Sequence, residues 1–191
     1  MAIQSNYTFD ELIANISAAI SVIDEYRGIP VEVLDQKLNP ETWSCTEVCK
    51  HLIQFNRLYL TEMENALNKL ENKPAGEEPW SVRWFMRKLG NFIEPPYKFG
   101  VKTISPMLPV RVDLSAQETL NELEKTNNEL LEILKTARSE KWNIDEIKGR
   151  NPVFKFRMSL TEFIVYIDAH QRRHFWQIEQ ILKRLPDLKE N

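Results

Sequence analysis

Four segments of this 191-residue chain open with a Ser or Thr followed three residues later by Glu, and behind each opening runs an apolar pattern of helical period. The pairs are Thr8 with Glu11, Ser44 with Glu47, Ser115 with Glu118, and Ser159 with Glu162. In such a capping box the hydroxyl and the carboxylate each satisfy a backbone donor that the first helical turn leaves without a partner, so the pair marks a helix start. Behind Thr8 run Phe9, Leu12, Ile13, Ile16, Ile20 and Ile23, and behind Ser44 run Val48, Leu52, Phe55, Tyr59, Met63 and Ala66. Behind Ser115 come Leu120, Leu123, Leu130, Leu131 and Leu134, and behind Ser159 come Phe163, Ile167, Ile178, Ile181 and Leu185. Steps of three and four keep each set on one helix face. Gly28 and Pro30 are expected to stop the first helix and Pro186 the last. Four helices with one apolar stripe each bury those stripes most simply against one another, so the expectation is an all-α four-helix bundle forming a single domain over residues 1–191.

Composition supports that reading and narrows the function. Five glycines are too few for the frequent tight turns of an all-β fold, and 42% hydrophobic with 28% charged residues belongs to an ordinary globular chain. The net charge of −3 is mild, and no segment collects enough Lys and Arg for a phosphate-binding stripe, so no nucleic-acid partner is expected. The start of the chain, MAIQSNYTFDELIAN, lacks the basic flank and apolar run of a secretory signal, and no window approaches the roughly 20 apolar residues of a membrane span. A cytoplasmic protein with no membrane partner is the expectation. The connection between the second and third helices, Asn72 to Leu114, is too long for a tight hairpin. Its aromatic residues suggest a short helix from about Trp80 to Leu89, after which Pro95, Pro96, Pro106 and Pro109 make an extended segment crossing an end or flank of the bundle. Trp80, Trp84 and Phe85 can roof a pocket or form a dimer surface, although local core is the commoner use of such residues.

The chemistry of the chain lies in its three histidines. In DAHQRRHFWQIEQIL, Asp168 to Leu182, His170 and His174 share a face with Ile167, Ile178 and Ile181, which places both toward the bundle interior. A separation of four residues stacks two imidazoles one turn apart with parallel aim, the arrangement by which a helix offers two nitrogens to one cation. His51 falls about two turns into the second helix, on the flank of Phe55 and Leu58. Two facing helices can therefore present three nitrogens and leave a coordination position open, as catalytic metal sites require. The same pattern is also compatible with three core imidazoles satisfied by hydrogen-bonding neighbours. A zinc peptidase helix needs Glu directly after its first histidine, where this chain has Gln171. A carboxylate-bridged di-iron bundle needs Glu three residues before an inward histidine, where this chain has Val48, Ile167 and Gln171. Cys45 lies near a helix start, where a thiol pKa can fall, but Cys45 and Cys49 both project well over about 90° away from His51 and are read as packing thiols.

Two motifs carry a family resemblance. WSCTEVCKHL, Trp43 to Leu52, and HQRRHFWQ, His170 to Gln177, with NPVF at Asn151 to Phe154 between them, resemble the DinB-like superfamily and within it the YfiT-like and bacillithiol-transferase-like members. That family is a four-helix bundle with one metal histidine in a W-S-x-x-E-x-x-x-H-L context on the second helix and two in H-x-x-R-H-x-x-Q on the last. The resemblance implies His51, His170 and His174 as ligands of one divalent ion, zinc or nickel, with water completing the shell. It further implies a homodimer acting on a small molecule, as a low-molecular-weight thiol S-transferase or a metal-dependent hydrolase. Gln177 is placed to bond a ligand water or substrate, or simply to make a polar core contact. Arg173, off the centre of the stripe, is expected at the surface or in an ion pair between helices. A second reading, from another class, is a helical binding or stress-response protein with a structural or vestigial metal site.

Overall fold

The computed structural model describes residues 2–96 and 114–185 of the chain. Four long helices carry it: α1 (Phe9–Arg27), α3 (Cys45–Asn68), α5 (Ala116–Ser139) and α6 (Leu160–Leu182). All four capping boxes form, each hydroxyl accepting from the backbone N–H three residues on and each Glu accepting from the cap's own N–H. The four helix starts are therefore set by local chemistry. α1 packs on α5 and α6, and α3 packs on the same pair, so the two helices that come first in the chain do not form the main contacts with each other. The all-α bundle is as expected.

The core falls into two apolar clusters along the bundle. One contains Leu12, Ile16, Phe55, Tyr59, Leu130, Leu134 and Phe163, and the other contains Ile23, Val48, Leu52, Leu123 and Ile178. Between them α3, α5 and α6 contribute buried polar residues: His51 and Asn56, Thr126 and Asn127, and His170, Gln171, Arg173 and His174. A polar layer in mid-bundle costs stability unless its groups find partners, so its presence points to use.

The additional elements come from pairing between residues distant in sequence. A five-residue helix, α2 (Val31–Asp35), follows the Gly28 cap, with Pro30 at its start. β1 (Asn6–Tyr7) pairs antiparallel with β2 (Trp80–Ser81), and β3 (Lys148–Arg150) with β4 (Arg157–Ser159). The short helix of the connection, α4, runs Trp84–Ile93 rather than Trp80 to Leu89. Trp80 is held in strand by Tyr7 across the ladder, with its ring edge-on to Phe9 at 5.3 Å. Helix then begins behind Arg83, whose Nε donates to Glu162 Oε1 at 2.6 Å, tying the start of α4 to the start of α6. The expected aromatic cluster is accordingly divided: Trp80 is core, and Trp84 and Phe85 are exposed. Tyr97, Phe99, Pro106, Pro109 and Pro186 lie outside the described residues.

The NPVF stretch is a loop between β3 and β4 with a structural cause. Asn151 Oδ1 accepts from the backbone N–H of Val153 and Phe154 at 2.9 and 2.8 Å, while its Nδ2 donates to the Tyr59 hydroxyl on α3 at 3.0 Å. Gly149 lets β3 lie close to α3, because a Cβ there would sit 3.0 Å from the Glu62 carbonyl oxygen and 3.0 Å from the Phe163 ring.

Candidate metal centre

His51 on α3 and His170 and His174 on α6 are brought together and buried. Their ring centroids lie 4.6 Å apart for His51 and His174, 4.5 Å for His170 and His174, and 5.2 Å for His51 and His170. One nitrogen from each can be chosen so that all three are within 4.8 Å of one another. The helical spacing explains two of these positions, since residues four apart on α6 point the same way. The third depends on α3 packing against α6, which brings His51 to the face that His170 and His174 present.

Neighbouring groups hold each imidazole. Phe55, one turn beyond His51, stacks on His170 with centroids 3.6 Å apart and planes 8° from parallel. Trp43, just before α3, lies 5.2 Å from the His51 ring. Gln177 Oε1 sits 2.9 Å from His174 Nδ1. With the amide oxygen as acceptor, His174 donates from Nδ1 and keeps its Nε2 lone pair available. His170 Nδ1 is buried and has no hydrogen-bond partner among the described residues.

Electrostatics keep His170 and His174 neutral. Burial, then His174, His51 and Arg173, hold His170 well below the usual imidazole range. Burial and His51 push His174 down to about 3, against the opposing hydrogen bond to Gln177 and with a further contribution from Arg173. Neutral imidazoles are the metal-binding form, and a buried imidazole nitrogen without a hydrogen-bond partner can satisfy itself by donating its lone pair to a cation. The donor set therefore fits a divalent ion of the borderline class.

Around this cluster the surface placement of Arg173 changes, while the reading of Cys45 and Cys49 as packing thiols stands. Arg173 is buried, not at the surface, and its Nη1 reaches the Ile93 carbonyl at 3.5 Å, where α4 ends and leaves carbonyls without helical partners. Its neighbour Arg172 grips the next residue, Glu94, from Nε at 3.1 and 3.3 Å, and also pairs with Asp168. Two consecutive arginines thus fasten the end of α4 beside the histidines. Cys45 is not activated by its helix start: burial pushes its thiol up to about 12, and burial raises Cys49 as well. Sequence reading missed the stacking of Phe55, although its position four residues after His51 was available as a signal.

A helical bundle whose interior presents three buried imidazoles from two helices defines the class: an all-α protein built with a candidate cation site. A family model described as the DinB superfamily matches residues 15–178, and the chain belongs to that superfamily. It is similar to the uncharacterized protein YuaE of Bacillus subtilis (strain 168), with 23% identity over 171 residues covering 88% of this chain and 94% of that protein. No solved structure matches the chain.

Proposed function

We propose that the protein is a metal-dependent enzyme in which His51, His170 and His174 hold one divalent ion, zinc or nickel, and that it activates a thiol or water toward a small-molecule electrophile. The observation that carries this reading is the convergence of three buried imidazoles, with one nitrogen of each inside a 4.8 Å span. When bound, such an ion supplies Lewis acidity that lets a coordinated thiol or water act as a nucleophile near neutral pH. The chain's own residues do the rest. Phe55 sets the plane of His170, and Gln177 fixes the tautomer of His174. Arg173, buried beside the cluster, disfavours protonation of His170 and His174 and keeps their lone pairs free. Both cysteines are buried with raised pKa values, so a thiol taking part in the reaction comes from outside the chain, as a low-molecular-weight cosubstrate.

Elemental analysis of the purified protein beside His170→Ala tests the first step. One ion per chain in the parent and loss in the variant are expected, and no stoichiometric metal in the parent overturns the reading. A screen of thiol cofactors with electrophiles, run against a panel of esters and amides, then separates transfer from hydrolysis. Turnover in either screen that depends on His170 supports an enzyme. Silence in both, with metal bound, overturns the enzyme and leaves a metal-holding binding protein.

A further inference from the structure

The outer face of α4 and the β3–β4 hairpin form one surface of a composition found in neither segment's surroundings. Residues 83–93 contain Arg83, Arg87 and Lys88 and no acid, and residues 147–158 contain Lys148, Arg150, Lys155 and Arg157 and no acid, in a chain of net charge −3. The fold joins the two: Phe85 meets Phe156 with centroids 5.6 Å apart, Phe156 stacks on Phe154, and Arg83 Nη2 donates to the Arg157 carbonyl at 2.5 Å. Large apolar side chains stand out of this face, with Trp84 66%, Phe92 58% and Phe154 59% exposed. At about 100° per residue Phe92 lies within about 20° of Phe85 round α4, and Trp84 and Lys88 occupy the adjoining arc. Met86, Gly90 and Ile93 occupy the opposite, buried side.

Part of the positive charge is already paired, since Arg83 is bound by Glu162 and Lys148 by Glu146. Arg87, Lys88, Arg150 and Arg157 have no ion pair among the described residues. Arg150 and Arg157 stand directly opposite each other in the β3–β4 ladder, a like-charge pairing that weakens the hairpin unless an anion lies over it. A second copy of this surface would set cations against cations. The occupant indicated by charge is anionic, and the protruding Trp and Phe side chains require it to offer an apolar layer beneath that charge.

Single-stranded nucleic acid meets the first condition but uses ring faces as stacking platforms. Here the Arg83 guanidinium covers the Phe85 ring at 4.7 Å, Lys88 Nζ lies over Trp84 at 5.9 Å, and Phe85 stands edge-on to Phe156. Cations over ring faces, with apolar edges projecting, suit the headgroup region of a bilayer. We propose that this face docks the protein on an anionic phospholipid surface, with Trp84, Phe92 and Phe154 at headgroup level and Lys88, Lys155 and Arg157 against the lipid phosphates. The proposal is independent of the histidine cluster. It reverses the sequence expectation of no membrane partner, because neither basic segment is sufficient alone and only the fold sums them.

Co-flotation of the full chain with vesicles tests it. Binding is expected to phosphatidylglycerol-rich vesicles at low salt, weakening as salt rises, with little binding to vesicles of phosphatidylcholine alone. Two double variants, Trp84→Ala with Phe92→Ala and Lys88→Glu with Lys155→Glu, should each lower partitioning about tenfold or more with unchanged far-UV circular dichroism. Lys135→Glu, an exposed charge change on α5, should leave it unchanged. Absence of flotation with the anionic vesicles overturns the proposal, as does equal flotation of parent and both double variants. Binding of an oligothymidylate without vesicle binding, or a shift from dimer to monomer in the aromatic variant without a change in flotation, also overturns it.

Discussion

Two polar clusters share helices α3 and α6 in the middle of the bundle, and they differ in the groups they gather: amides and a hydroxyl bonded between helices in one, converging imidazoles in the other. The amide cluster joins Asn56, Thr126 and Gln171: Asn56 Nδ2 donates to Thr126 Oγ1 at 2.9 Å and to Gln171 Oε1 at 3.5 Å, while Thr126 and the adjacent Asn127 donate back to the Leu123 carbonyl. These bonds link α3 with α5 and α6, although Asn56 Oδ1, Asn127 Oδ1 and Gln171 Nε2 are buried without a partner among the described residues. The histidine cluster instead brings one potential ligand nitrogen from each of three imidazoles within 4.8 Å of one another, and His170 Nδ1 finds no partner among the described residues. His170 and Gln171 are adjacent in sequence, yet a rotation of about 100° along α6 sends one to each cluster. A carboxylate in place of Gln171 would therefore face the amides, so the missing peptidase Glu reflects the direction of the helix face as well as the residue type.

If the contrast is correct, the two clusters respond differently to substitution. The largest effect is expected from removing a ligand: His51→Ala or His170→Ala should abolish stoichiometric zinc or nickel binding by elemental analysis, and retention of a full equivalent would refute the ligand assignment. Acid comes next. In metal-free protein His174 takes a proton only near 3 when folded but near 6.5 when unfolded, so the unfolded state binds more protons between those values. Stability is expected to be fully present above about pH 6.5 and to fall as pH drops toward 3, with the melting temperature following; His174→Phe should flatten that dependence. Proton competition for the His174 nitrogen in the folded protein should weaken metal binding only as pH falls toward 3.

Gln177→Ala should weaken metal binding by about 10- to 100-fold without removing it, as expected for a group that orients a ligand, measured by competition with a chelating dye. An unchanged affinity would leave Gln177 as a packing contact. On the amide side, Asn56→Leu should cost about 1–3 kcal/mol in urea unfolding, because it strands Gln171 in the core, while leaving metal stoichiometry intact. Loss of metal in that variant would show that the clusters are one unit, and would erase the distinction between them.

The helices were largely legible before the fold was known because their signals are local. A hydroxyl and a carboxylate three residues apart satisfy backbone groups within one turn, and all four such boxes form. The error at Trp80 came from the one kind of information a local window lacks: its strand partner, Tyr7, lies before α1, whereas Trp80 follows α3. Arg173 was misplaced for a related reason, since its burial depends on the end of α4 arriving beside α6. The proline-rich continuation through Pro106 and Pro109 falls outside the described residues.

By itself the sequence determined the helices, the faces they bury and the pairing of His170 with His174, because periodicity and capping act over four residues or fewer. Tertiary structure alone decided that His51 completes the cluster, that Gln171 turns toward Asn56, and that two modest basic segments merge into one aromatic-studded face. Those outcomes depend on which helix packs against which, and that is settled by the burial of apolar stripes along the whole bundle.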